Sequence, residues 1–356
     1  MTTERRTIAA RLQAHWWRPA PSLAMRVLQP LSWLYRGLAV LHRHTLGPPS
    51  RAVPDKPVVV VGNLVVGGAG KTPVVIAIVQ WLRSQGWRPG VVSRGYGRRG
   101  EQILEVTPDR AASEVGDEPL LIHLRTGAPV VVGRDRVAAA RALCEYHPEV
   151  DLIVSDDGLQ HHRLARDVEV VVFDGRGAGN GLMLPAGPLR QPLPAAAPQR
   201  SLVLYNADQP STPWPGFVAR RSLAGAVPLQ AWWRNEQGTT IPLRAYAGRP
   251  VLAAAGMGDP ERFFRMLEQA GVKVVRLPLP DHATFSPLPW PTGTPEVLVT
   301  EKDAVKLRPG LAGATGVGVV ALDFSLPGGF TEALRERLPD PPSSTPPTPR
   351  QAWTTD

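Results

Sequence analysis

Val65-Val66-Gly67-Gly68-Ala69-Gly70-Lys71-Thr72 joins an apolar run, Pro57 to Val61, to a stretch with helical spacing, Thr72 to Ser84. A strand, a glycine-rich turn and a helix in that order are what a phosphate-binding loop requires. Gly67, Gly68 and Gly70 free the backbone to turn N–H groups toward phosphate oxygens, and the following helix adds its positive end. Lys71 is then placed to reach the β- and γ-phosphates of a nucleotide, and Thr72 holds the hydroxyl position that ligates Mg²⁺ in such loops. The general pattern asks for glycine where Val65 stands, and the nearest earlier glycine is Gly62. Val65, Val66 and Ala69 complete the expected nucleotide-binding segment.

Outward from the loop, short β-branched runs alternate with helical patterns, the signature of a parallel sheet with crossover helices. Strands are expected at Pro57 to Val61, Gly90 to Ser93, Pro129 to Val132, Leu152 to Ser155, Val168 to Phe173 and Ser201 to Tyr205, with helices at Thr72 to Ser84, Glu118 to Thr126 and Arg134 to Tyr146. Asp156-Asp157 ends the fourth of these runs, where an acid that holds Mg²⁺ belongs in a P-loop protein. Asp-Asp-Gly also suits a plain strand-to-loop turn. From Asp208 to Trp233 the pattern is Pro-rich and irregular. A second α/β stretch begins at Val251, with a helix from Pro260 to Ala270 and a strand from Val272 to Leu277.

The expected organisation is an N-terminal helical segment (1–50), a P-loop domain (51–210), a smaller α/β domain (211–338) and a disordered Pro/Ser/Thr-rich tail (339–356). A length of 356 residues favours two domains over one. With 43% hydrophobic and 20% charged residues the chain is neither wholly disordered nor a polytopic membrane protein. One cysteine, Cys144, allows no internal disulfide, and no secretory leader is evident, so a cytoplasmic setting is expected. The formal charge of +9 implies attraction to polyanions without choosing among them.

Between Met25 and His42, Val27, Leu28, Leu31, Leu34, Tyr35, Leu38 and Leu41 recur at helical spacing. Arg26, Arg36 and Pro30 interrupt the run, so it is too short and too charged to span a bilayer. Trp16, Trp17 and Trp33, with Arg11, Arg18, Arg26, Arg36 and Arg43, suit a headgroup interface. Two readings stand at this level: a helix lying on a membrane, and a helix packed on the protein's own core.

Seven blocks in order resemble the tetraacyldisaccharide 4'-kinases, which phosphorylate the disaccharide 1-phosphate precursor of lipid A. They are Gly62-Asn63-Leu64 through Gly67 to Pro73, Ser93-Arg94-Gly95-Tyr96-Gly97, Gly116-Asp117-Glu118-Pro119, Asp156 to His161, Leu184-Pro185-Ala186-Gly187-Pro188-Leu189-Arg190, Asp281-His282 with Phe285, and Thr300 to Lys306. The family's loop also lacks glycine at the place of Val65. The resemblance implies a P-loop domain, a smaller C-terminal domain with the substrate cleft between them, and a membrane-facing N-terminal helix. It implies ATP as phosphoryl donor, Mg²⁺ as cofactor and a lipid-linked disaccharide as substrate. It further implies the cytoplasmic face of the inner membrane of a Gram-negative bacterium, with no nucleic acid and no obligate protein partner. It assigns Asp117 as the base that takes the sugar 4'-hydroxyl proton and His282 as its partner.

Glu118 suits Mg²⁺ as a hard carboxylate, or stands as an ordinary first-turn helix acid. Arg190 can neutralise a transferring phosphate or grip the substrate's own phosphate. Arg94, Tyr96 and Gln160 are expected to line the cleft. Lys302 and Asp303 read as neighbours of the site or as a surface ion pair. Among rival classes, a P-loop GTPase would carry Asn-Lys-x-Asp, which the chain lacks, and a nucleic-acid binder would carry zinc spacing or an aromatic RNA-binding motif.

Overall fold

The computed structural model describes residues 12–342 except 46, 54 and 237. Arg11 and residues 343–356 of the expected tail lie outside the described residues. Helix α1 covers Leu23–Thr45. The chain then builds an eight-stranded sheet from β1 (Val58–Gly62), β2 (Pro89–Ser93), β3 (Leu104–Glu105), β4 (Val130–Val132), β5 (Leu152–Asp156), β6 (Val168–Asp174), β7 (Ser201–Asn206) and β8 (Phe217–Val218). Their order is β3-β4-β2-β5-β1-β6-β7-β8, parallel except for the edge strand β3. Every residue of β1, β2 and β5 is buried, because helices cover both faces, and this is why those strands read as unbroken apolar runs.

Strand order changes direction around β1: the chain crosses from β1 past β5 to β2, and later from β5 back over β1 to β6. Such a switch opens a crevice at the carboxyl ends of the strands. The P-loop, Ser93 and Asp156 all leave the sheet at that crevice.

Helix α2 (Lys71–Ser84) buries Val74, Val75, Ile76, Ile78, Val79 and Leu82. It is apolar on nearly all sides because it packs on the large sheet and also on the second one. Helix α3 (Asp117–Thr126) and helix α4 (Arg136–Tyr146) complete the cover of the β2–β4 side.

The second sheet comprises β9 (Arg220–Pro228), β10 (Pro250–Ala255), β11 (Lys273–Pro278), β12 (Glu296–Thr300) and β13 (Gly316–Ser325), ordered β11-β10-β12-β13-β9. The stretch expected to be irregular, Asp208 to Trp233, therefore contains a nine-residue strand and helix α5 (Leu229–Trp233). Strand β9 is exposed along its first half and owes its form to antiparallel pairing with β13, nearly 100 residues on, which no local pattern announces. Helices α6 (Pro260–Gln269), α7 (Glu301–Ala304) and α8 (Gly328–Arg335) complete this part. The chain leaves the first sheet at Val218 and enters the second at Arg220. A continuous core nonetheless joins the two sheets, from Val59 and Val91 through α2 to Val297, Val319 and Phe330.

On α1, Met25 and Ser32 are buried and Leu28, Gln29 and Tyr35 half-buried against the body. Val27, Leu31, Leu34, Leu38 and Leu41 are 51–72% exposed, so the apolar stripe faces away from the protein's own core. Among the described residues no helix is long and apolar enough to cross a membrane.

Candidate active site

Gly67 and Gly70 adopt φ of 87° and 73°, a region where glycine avoids the penalty of a side chain. At Gly70 the space is also closed, since an added Cβ would stand 1.9 Å from Asn206 Nδ2. At Gly67 and Gly68 no protein atom lies within 4 Å of an added Cβ. The protein does not crowd these two positions, and the open cradle there fits the phosphates of a nucleotide. The loop is fixed from behind: Asn206 Nδ2 donates to Ala69 O at 3.3 Å, Arg176 Nη2 to Gly68 O at 2.8 Å, and Val66 N to Pro188 O at 2.9 Å.

Lys71, the first residue of α2, donates to Asn63 Oδ1 at 3.3 Å and pairs with Asp157 at 3.5 Å. Asp157 sits at φ 47°, just past the end of β5, and this turn aims its carboxylate back across the loop. Arg190 Nη1 reaches Asp157 at 3.3 and 3.4 Å and Gln160 Oε1 at 3.2 Å. Burial alone would raise the Asp157 carboxyl, but Lys71 and Arg190 hold it below the ordinary range. Gln160 also donates to Asn63 O at 3.0 Å, which places it under the loop in contact with Arg190.

Asp156, 5% exposed at the end of β5, accepts from Ser93 Oγ at 2.9 Å. Burial, then the neighbouring Asp157 charge, pushes its carboxyl up to about 6. Arg136, 3% exposed, supplies positive charge to both acids, and burial lowers its own guanidinium to about 10.

The second cluster forms where Gly95 and Gly116 meet. An added Cβ on Gly116 would lie 3.0 Å from Gly95 Cα, so only glycine lets these turns touch and bring Ser93–Gly97 beside the start of α3. Asp117 opens α3 and is 8% exposed. His282, at φ 59°, approaches from the loop after β11 and donates from Nδ1 to Asp117 Oδ2 at 3.0 Å. Tyr96 packs its ring 5.6 Å from the imidazole, centroid to centroid, while remaining 68% exposed. Burial raises the Asp117 carboxyl, opposed by Lys306.

Lys306 Nζ lies 3.8 Å from Asp117 and 2.8 Å from the fully buried Asp303. Lys302 bridges Glu118 and Asp281, each at 2.9 Å. Although burial opposes it, these two carboxylates raise the Lys302 ammonium. Asp303 is fully buried and pairs with Lys306, while Lys302 is half-buried and pairs with Glu118 and Asp281 rather than with Asp303. Arg94 follows directly on β2 and is exposed.

Mg²⁺ takes hard oxygens and usually one or two carboxylates, with water and phosphate filling the rest of its shell. Asp156, Asp157, Glu118 and the Thr72 hydroxyl are donors of that kind, and the enclosed, proton-prone Asp156 fits a cation best. Among the described residues no three His, Cys, Asp or Glu side chains form a closed metal cage.

Arg136, Arg176, Asn206 and Lys306 escaped the sequence reading of the site. Lys306 lies inside the block Thr300 to Lys306, which was its one available signal. The other three reach the site from strand and helix ends far away in sequence.

The model of the family described as tetraacyldisaccharide-1-P 4'-kinase matches residues 24–339. The chain is 55% identical to the tetraacyldisaccharide 4'-kinase of Methylibium petroleiphilum over 94% of its own length and 95% of the relative's. With that of Leptothrix cholodnii it shares 50% identity, over 93% and 97%. The crystal structure of LpxK from Aquifex aeolicus in complex with ATP superposes with a TM-score of 0.71 at 26% identity, covering 88% of this chain and 98% of that one.

Proposed function

The chain belongs to the tetraacyldisaccharide-1-P 4'-kinase family, and from that premise we propose how its residues divide the work. The reaction is ATP-dependent phosphorylation of the 4'-hydroxyl of a tetraacyl disaccharide 1-phosphate, a step of lipid A biosynthesis. The Asp117–His282 hydrogen bond beside the P-loop acids is the observation that carries the assignment of roles.

Asp117 takes the proton of the attacking 4'-hydroxyl, and His282, donating from Nδ1 to Asp117 Oδ2, orients and stabilises the carboxylate before the transfer. Lys71 exchanges its resting contacts with Asn63 and Asp157 for the β- and γ-phosphates. Arg190 leaves Asp157 to neutralise charge on the phosphoryl group in flight. Asp156, with Thr72, Asp157 or Glu118, would hold Mg²⁺, which would supply neutralisation of the phosphate charge. A cleft of about 1020 Å³ beside Asn206, lined by Arg221, Arg262 and Met266, has room for the base and ribose. Arg94 and Tyr96 flank the sugar; Gln160 acts by holding Arg190.

Residues 51–210 serve as the nucleotide-binding part and 211–338 as the part that supplies His282, Lys302 and Lys306. The outward apolar stripe of α1, with Trp33 and the arginines beside it, supports a peripheral seat on the cytoplasmic face of the inner membrane of a Gram-negative bacterium.

The test is transfer of labelled γ-phosphate from ATP to the detergent-solubilised disaccharide. Asp117→Ala should lower kcat by roughly 10²–10⁴-fold, the usual worth of a general base, with ATP binding kept. Lys71→Ala should nearly abolish turnover in a folded protein. An Asp117→Ala enzyme with wild-type kcat would remove Asp117 from the role of base.

A further inference from the structure

Ser32 and Tyr35 lie on the inward face of α1, opposite the exposed stripe. Ser32 is 4% exposed, a hydroxyl sealed in a position where an apolar residue would anchor the helix as well. Its Oγ donates to Met183 O at 2.8 Å and accepts from Ala186 N at 3.3 Å. One turn later, Tyr35 OH donates to Arg190 O at 3.2 Å. Both hydroxyls thus hold one segment, Met183 to Arg190.

The other side of that segment is joined to the P-loop. Arg190 N donates to Leu64 O at 2.7 Å, Val66 N to Pro188 O at 2.9 Å, and Leu189 forms an antiparallel bridge with Val65. The segment is tightly folded as well: at Gly187 an added Cβ would meet Leu182 O at 2.2 Å. Helix α1, the 183–190 segment and the P-loop therefore form three hydrogen-bonded layers. The guanidinium of Arg190 leaves the middle layer toward Asp157.

We propose that Ser32 and Tyr35 are positioning residues for phosphoryl transfer, clamping the Met183–Arg190 segment so that the Arg190 guanidinium is aimed at the phosphate. The inference rests on the role given to Arg190 above. A side chain that neutralises charge only in the transition state is sensitive to small displacement, so a loosened carbonyl at its own residue is felt in kcat. Helix α1 then has two faces with separate tasks: one apolar and outward, the other hydrogen-bonded to the catalytic machinery.

The experiment is a double-mutant cycle in detergent solution, with Tyr35→Phe, Arg190→Ala and the pair measured at saturating ATP and disaccharide. Tyr35→Phe should lower kcat by roughly 5-fold, as expected for one lost hydrogen bond, with KM for ATP unchanged. In the Arg190→Ala background it should lower kcat by less than about 1.5-fold, since coupled residues are not additive. Tyr35→Phe should leave association with phosphatidylethanolamine/phosphatidylglycerol vesicles unchanged, because the outward stripe is intact. Ser32→Ala should repeat the pattern if it folds, and the cycle stands on Tyr35 if it does not. An equal loss in both backgrounds, or no loss in either, would overturn the positioning role while leaving Arg190 in place. Full kcat in Arg190→Ala would overturn both.

Discussion

Asp156 is a carboxyl that the folded chain holds at a cost. Burial and the Asp157 charge raise it to about 6, against the ordinary value near 4. The native state thus binds more protons than the unfolded state between those values, and this group destabilises the fold above pH 6. The penalty is relieved as pH falls through 6 toward 4. Asp156→Asn removes the charge while keeping the shape and the contact with Ser93. The variant should gain on the order of 2–3 kcal/mol at pH 8, with the gain mostly gone by pH 4, while its kinase activity is lost. Denaturant titration at the two pH values checks this; equal stability of variant and wild type at pH 8 would refute it. His282 and Asp157 extend the pattern, since both occupy the left-handed backbone region that side chains disfavour. The types of all three residues were readable from the sequence, as were their motifs. Their strain and burial were not, because both arise from neighbours that meet only in the fold.

At the scale of the element, α1 was legible as a helix by its spacing, yet its two faces were not equally so. The outward stripe Val27, Leu31, Leu34, Leu38 and Leu41 stands out as hydrophobic periodicity. The inward face is carried by Ser32 and Tyr35, whose partners lie more than 150 residues away. Leu34→Glu/Leu38→Glu should cut association with phosphatidylglycerol-containing vesicles at least tenfold, since each buried leucine is worth about 1.5–3 kcal/mol. Transfer to detergent-solubilised substrate should remain near wild type. Vesicle flotation and the detergent assay separate the two effects, and undiminished flotation would exclude the stripe as the membrane contact. Strand β9 shows the opposite case. It is irregular by pattern and becomes a strand because β13 pairs with it along its length, with one bulge at Ala224.

Over the whole molecule, the two sheets share one core and are further tied by Glu301. This carboxylate is 7% exposed, pairs with Arg125 at the end of α3, and accepts from Trp232 Nε1 at 3.1 Å and Leu322 N at 3.2 Å. Glu301→Ala leaves several donors without their acceptor and should cost about 2–4 kcal/mol. Calorimetry should show a single transition in the wild type, displaced downward as a unit in the variant; two separated transitions would contradict the shared core. The sequence by itself determined the parallel sheet, the P-loop and the seven motif blocks, because strand periodicity, glycine turns and short catalytic motifs are local properties of the chain. Only the tertiary structure decided which groups meet. Asp117 is joined to His282 and Lys306 from the second sheet, Lys71 and Arg190 share Asp157, and α1 grips the Arg190 segment. These contacts span up to 190 residues of chain, and they exist only because burial of a common core brings the two sheets together.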